Sequence, residues 1–231
     1  MGSGEDNRSE AVPTTRAMEP ARRGVRMVRM REPKRTPPGP QGRQLGLFSS
    51  RERLPEGFRY REEAITPSVE RTLLDAFADL PFREFEFHGY QGKRRVVSFG
   101  WKYDFEERKV HRAEELPPFL HTLRDTASRF AEIGSDRLVQ ALVTEYSAGA
   151  AIGWHRDKDV FGDIVGISLL APCTFRLRRK SAASWDRVSI TVEPRSAYLL
   201  RGPARWDWEH SIPGVPALRY SVTFRSLRID A

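Results

Sequence analysis

The chain has 231 residues, 39% of them hydrophobic and 30% charged, with a formal net charge of +8, enough material for one sizeable core and a balance that favours an anionic partner. Its single cysteine, Cys173, excludes an internal disulfide framework and fits a reducing cytoplasm. No run approaches the roughly 18 consecutive apolar residues of a membrane span, and no apolar signal-peptide core opens the chain, so a cytoplasmic monomer with no membrane role is expected.

Residues 1–44 hold ten basic and five acidic side chains, +5 of the total, which leaves +3 to the rest. With six prolines and almost no bulky apolar side chains, they cannot bury enough surface to offset chain ordering. A disordered basic tail is expected over 1–44, ahead of a folded domain over 45–231. At the junction, Gln44-Leu-Gly-Leu-Phe48 resembles the short peptide by which bacterial repair and replication proteins dock on the sliding clamp. Three apolar anchors on a tether suit a partner's groove; they equally suit this protein's own core.

Thr66-Pro67-Ser68, followed by Val69, Leu73, Phe77 and Leu80, reads as an N-cap, a first-turn proline and an apolar stripe, predicting a helix over about 67–79. Residues 93–105 place Phe99, Trp101, Tyr103 and Phe105 two apart, behind Lys93, Arg94 and Arg95. Cations beside aromatic faces suit phosphates and stacked bases, and an ordinary half-buried strand has the same pattern. A second helix is predicted over about 117–132, opened by Pro117 and Pro118 and closed by Gly134.

Seven short β-rich runs follow, near 138–146, 164–170, 173–179, 187–192, 196–201, 206–212 and 219–228. They argue for a mostly β fold with flanking helices, a sandwich or jelly roll. Arg176, Arg178, Arg179 and Lys180 before Ser181–Ser184 mark a hairpin with a cationic edge, which suits phosphate contact or protection from aggregation.

In Gly153-Trp-His-Arg-Asp157 the His155 and Asp157 side chains project from one face of an extended segment and can share a metal. His210, in Trp206-Asp-Trp-Glu-His210, supplies a third donor from another predicted strand, with Trp206 and Trp208 expected on its face around the metal. Two imidazoles and one carboxylate make the facial triad that leaves positions open on Fe(II); they also suit zinc. Arg219-Tyr-Ser-Val-Thr-Phe-Arg225 separates the two metals. Strict alternation puts Arg219, Ser221, Thr223 and Arg225 on one face, and inward guanidinia need anions. An enzyme using 2-oxoglutarate must hold two carboxylates, whereas a zinc hydrolase has no general use for such a strand.

Together Thr144-Glu-Tyr-Ser-Ala-Gly149, His155-Arg-Asp-Lys-Asp159, Trp-Glu-His210 and Arg219-Tyr-Ser-Val-Thr-Phe-Arg225 resemble the AlkB family of Fe(II)/2-oxoglutarate-dependent dioxygenases, over about 90–228. The resemblance implies a double-stranded β-helix with His155, Asp157 and His210 as iron ligands. It implies that Arg219 holds the distal carboxylate of 2-oxoglutarate, assisted by Tyr146 and Ser221, and that Arg225 lies near the chelating end. Thr144 stands where the founding member has an asparagine at the co-substrate, and Asp159 where it has an acid that reads the damaged base. Trp101 and Tyr103 fall in the neighbourhood of its nucleotide lid; Lys93, Arg95, Arg176 and Arg178 are candidate phosphate contacts by their charge alone. The implied activity is oxidative dealkylation of N-alkylated bases in DNA or RNA. RNA modification, a protein-directed oxygenase, or a non-catalytic clamp-tethered adaptor are the alternatives.

Overall fold

The structure, a computed structural model, describes residues 54–87, 90–104, 109–112 and 114–228, and their side chains outside 85–92 and 102–112. The tail over 1–44, the Gln44–Phe48 peptide and the Tyr103 side chain lie outside the described residues.

Both predicted helices form, for the expected reasons. The Thr66 hydroxyl accepts from the Val69 N–H at 3.3 Å, Pro67 opens α1 (Pro67–Phe77), and Leu73 and Phe77 are buried. Helix α2 (Pro118–Ala131) buries Leu120, Leu123, Ala127 and Phe130. Its end differs from expectation. Glu132, not Gly134, adopts the left-handed conformation, φ 57° and ψ 47°, and its N–H closes on the Ser128 carbonyl, so the left-handed cap that usually calls for glycine is made without one.

The strands build two antiparallel sheets. The larger runs β1 (Phe58–Arg61), β10 (Ala197–Leu200), β7 (Phe161–Leu169), β12 (Arg219–Leu227), β5 (Leu138–Tyr146), β3 (Tyr90–Asp104) and β2 (Arg83–Phe87), with β4 (Lys109–Arg112) pairing β3. The smaller runs β6 (Ile152–His155), β11 (Glu209–Ile212), β8 (Cys173–Lys180) and β9 (Trp185–Val192). This is the mostly β, double-stranded β-helix architecture expected, flanked by helices. Four-residue β1, β4 and β6 carry too little alternation to declare themselves in the sequence. The strand expected from 206 begins at Glu209, because Gly202–Trp206 forms a short helix, α3, with Pro203 in its first turn.

Alternation divides the core in two. Val222 and Phe224 of β12, Ala141 and Val143 of β5, and Val165, Ile167 and Leu169 of β7 pack with α1 and α2 on the outer face of the large sheet. Between the sheets, Tyr146, Ile164 and Tyr198 meet Phe175, Leu177, Val188, Trp208 and Ile212. Each fully buried Leu, Val or Phe contributes about 1.5–3 kcal/mol through removal of apolar area from water. Two glycines permit this arrangement. A Cβ at Gly166 would lie 2.2 Å from the Tyr198 ring, and one at Gly100, where φ is +79°, would lie 2.0 Å from the Val139 carbonyl.

Candidate active site

One end of the inter-sheet space is polar, and register explains which residues reach it. His210 of β11 stands opposite His155 of β6 and Leu177 of β8, so both imidazoles share the core-facing side of the small sheet. Asp157 follows two residues after His155. One donor atom from each of His155, Asp157 and His210 lies within 4.8 Å of the others, with the imidazole centroids 4.2 Å apart. Among the described residues no other group of His, Cys, Asp or Glu offers such a cluster.

The protonation pattern suits a cation. His155 Nδ1 donates to the Gly153 carbonyl at 2.9 Å, which leaves Nε2 with its lone pair. Burial, reinforced by His155, lowers the His210 pKa to about 3; burial also lowers that of His155, partly offset by Asp157. Both rings are therefore neutral donors near pH 7. Burial opposes charge on Asp157, but Arg225 with both histidines outweighs it and holds the carboxyl below the usual carboxylate range. Arg225 Nε and Nη2 both donate to Asp157 Oδ1, at 2.8 and 2.7 Å. That leaves Oδ2 turned to His210 Nε2, 3.6 Å away.

On the large sheet, Arg219, Ser221 and Arg225 stand opposite Tyr146, Thr144 and Gln140. Arg219 is 1% exposed. Its Nε donates to Ser168 Oγ at 3.2 Å, and its guanidinium lies 4.9 Å from the Tyr146 ring centre. Ser168 is the register partner of Ser221, so the arm leans along the strand in the direction of Arg225, shortening the roughly 20 Å that six residues of strand would set between them. Arg219 Nη1 is buried with no hydrogen-bond partner, a costly arrangement unless an anion completes it. The site fits a carboxylate there and a divalent metal at the triad.

Arg205, which carries no motif in the sequence, and Arg94, one of three consecutive cations there, also reach the site. Arg205 of α3, 2% exposed, donates from Nε to the Gly162 carbonyl at 3.0 Å and from Nη2 to the carbonyls of Asp157, Lys158 and Phe161 at 3.2, 2.8 and 2.9 Å. It holds the backbone turn that carries the metal-facing carboxylate. The helix signal in Gly202-Pro-Ala-Arg-Trp206 was the available clue. Arg94 of β3 stands opposite Tyr146, hydrogen-bonds it, and sits within the electrostatic reach of Asp157 and Arg225, while burial lowers its pKa.

That parity separates it from its neighbours. Lys93 and Arg95 project from the other face of β3, where Arg95 makes a two-pronged ion pair with Glu145, 2.8 Å at each oxygen, and Lys93 is exposed. Trp101 is half-buried on β3 opposite Arg112. Asp159 is exposed and close enough to Arg205 to act on its charge. Arg176 and Arg178 alternate with Leu177, which faces the core, so they project from the outer side of the small sheet. Trp208 is buried among the inter-sheet apolar residues, as its parity with His210 expects; Trp206 instead ends α3 and stacks 4.2 Å from Arg205.

The model of the 2OG-Fe(II) oxygenase superfamily matches residues 74–228. The chain belongs to that superfamily. This oxygenase is 32% identical over 145 residues to "Alkylated DNA repair protein ALKBH8 homolog" of Arabidopsis thaliana, a match covering 52% of this chain but only 42% of that relative's length. It is 25% identical over 186 residues to "Uncharacterized protein L905" of Acanthamoeba polyphaga mimivirus, covering 74% of this chain and 85% of that one. The solved structure of OsALKBH1 shares its fold, with a TM-score of 0.56 and 14% identity over 75% of this chain and 98% of that chain. The oxygenase is thus similar in part of its sequence and in its fold to AlkB homologues, and its His-Asp-His triad and superfamily imply Fe(II) and 2-oxoglutarate. No helix among the described residues is long and apolar enough to cross a membrane.

Proposed function

We propose that this oxygenase removes N-linked alkyl groups from nucleobases of DNA or RNA. The observation that carries the reading is the buried, half-satisfied Arg219 on a strand whose other inward arginine grips the triad's carboxylate. The name of the 32%-identical relative, an alkylated DNA repair protein, supports the substrate class.

In this reading His155 Nε2, Asp157 Oδ2 and His210 Nε2 hold the iron. Arg219 takes the distal carboxylate of 2-oxoglutarate through Nη1, with Ser221, Thr144 and Tyr146 around it. Arg225 keeps Asp157 ionised and aimed; its Nη1 donates to Gln140 at 3.0 Å, so it serves the metal end through the carboxylate. Arg205 holds the turn beneath. Held there, iron would let 2-oxoglutarate and O2 hydroxylate an N-alkyl carbon, one oxygen atom going to the substrate and one to the succinate formed with loss of CO2, and the resulting hemiaminal would release an aldehyde and the free base. The protein's part is positioning and charge. Reaching the site requires the base to leave its stack, and Trp101 and Tyr103 on β3, with Asp159, are proposed to receive it.

The test is incubation with Fe(II), 2-oxoglutarate and methylated or etheno-adducted oligonucleotides, read by mass spectrometry. Loss of adduct mass that requires His155 and Asp157 is the expected result. Succinate release with every oligonucleotide unchanged would reassign the substrate to another RNA modification or to protein, and no succinate at all would leave a non-catalytic adaptor.

A further inference from the structure

The small sheet has a second face, turned away from the triad. Since His210, Leu177 and Val188 are aligned across β11, β8 and β9 and point to the core, the flanking rows Glu209–Arg178–Arg187 and Ser211–Arg176–Ser189 point outward. On that face Arg178 lies between two indoles, its guanidinium carbon 4.4 Å from the ring centre of Trp154 and 4.4 Å from that of Trp185. Arg176 lies 5.0 Å over Trp154 and donates to Ser211 Oγ at 3.0 Å. Arg178 donates to Glu209 at 2.6 Å. Lys180 and Arg187 continue the row and are exposed. Among the described residues no carboxylate pairs with Arg176, Lys180 or Arg187.

Part of this has a plain explanation. Strand β9 ends its sheet, and cationic edges discourage unwanted strand addition. Protection does not account for indoles, and Trp185 is 37% exposed. Nor does it account for Arg187, which stands directly opposite Arg178 and has no carboxylate of its own among the described residues, Glu209 being held by Arg178; a second cation beside that pair favours a further anion. Flat guanidinia interleaved with aromatic rings are the chemistry that takes a flexible polyanion carrying bases: cations meet phosphates, and planar groups offer stacking surfaces.

We infer that the outer face of the small sheet is a docking surface for single-stranded nucleic acid, formed by Trp154, Trp185, Arg176, Arg178, Lys180 and Arg187. The inference rests on the nucleic-acid reading of the enzyme and adds to it a contact outside the catalytic pocket. Nucleotides held here belong to the strand flanking the one being oxidised, so the surface sets affinity for longer substrates and leaves the oxidation itself unchanged.

Binding of the full chain to an unmodified, fluorescently labelled single-stranded oligonucleotide, followed by anisotropy across a salt series, tests it. Lys180→Glu with Arg187→Glu weakens binding by about tenfold or more and flattens the slope of log K against log salt by about 1.4, since each phosphate contact on a single strand contributes about 0.7. Trp185→Ala weakens binding by about tenfold through lost stacking, with the salt slope unchanged. Uncoupled succinate formation stays at the wild-type rate in both. If melting shows either variant misfolded, Lys180→Gln with Arg187→Gln and Trp185→Leu replace them, with smaller losses in the same order. Wild-type affinity in folded variants overturns the surface alone. A wild-type chain that binds no oligonucleotide overturns the nucleic-acid reading with it, and a patch-dependent preference for an acidic peptide over the oligonucleotide overturns the choice of partner.

Discussion

The two faces of β12 divide the molecule's work. Val222 and Phe224 are fully buried against the helices, whereas Arg219, Ser221, Thr223 and Arg225 turn toward the triad. The outer face is satisfied by apolar packing alone and contributes stability. The inner face buries charge that protein groups satisfy only in part, Arg219 Nη1 having no partner. One strand with a side-chain period of two serves both ends because a single-residue slip would exchange them.

Substitutions at the two faces should therefore fail in different ways. The largest effect is expected at the triad: His210→Ala or Asp157→Ala removes an iron donor. Iron affinity, measured by metal titration, falls by well over the roughly hundredfold typical of losing an outer partner, and turnover with it. Next comes Phe224→Ala on the outer face, which lowers stability by about 3–5 kcal/mol through a cavity. Its urea midpoint drops while 2-oxoglutarate affinity of the folded fraction is kept.

Arg219→Met on the inner face reverses that pattern. The affinity for 2-oxoglutarate, read by calorimetry, falls by about 3 kcal/mol, roughly a hundredfold, whereas thermal stability holds or rises because a poorly satisfied buried charge is gone. A large loss of stability with unchanged co-substrate affinity would contradict the division between the faces. The smallest effect is expected from Arg205→Lys, which keeps the charge but loses the several simultaneous carbonyl contacts of a guanidinium. Iron affinity drops by about tenfold, with no change in affinity for 2-oxoglutarate.

Periodicity makes the strongly patterned elements legible. Strand β5 is predicted over 138–146 and runs Leu138–Tyr146, and both long helices fall within a residue or two of their predicted bounds. The triad and the inward set on β12 are equally readable, because H-x-D and strict alternation state which side chains share a face. Lys93, Arg94 and Arg95 are not. Three successive cations look alike in sequence, and only pairing with β5 decides that Arg94 meets Tyr146 while Arg95 meets Glu145. Arg205 is hidden for another reason: its partners are backbone carbonyls more than 40 residues away in the chain, and carbonyls carry no residue signature.

The order of residues alone determined the donor types, the inward arginines of β12 and the mostly β class, since each follows from chemistry or alternation within a few consecutive positions. Tertiary structure decided which of several identical guanidinia are buried, which grip a carboxylate and which stack between indoles on the outer surface. The physical reason is that burial and charge partnership arise from strand register, a relation between segments remote in sequence, and no local pattern encodes it.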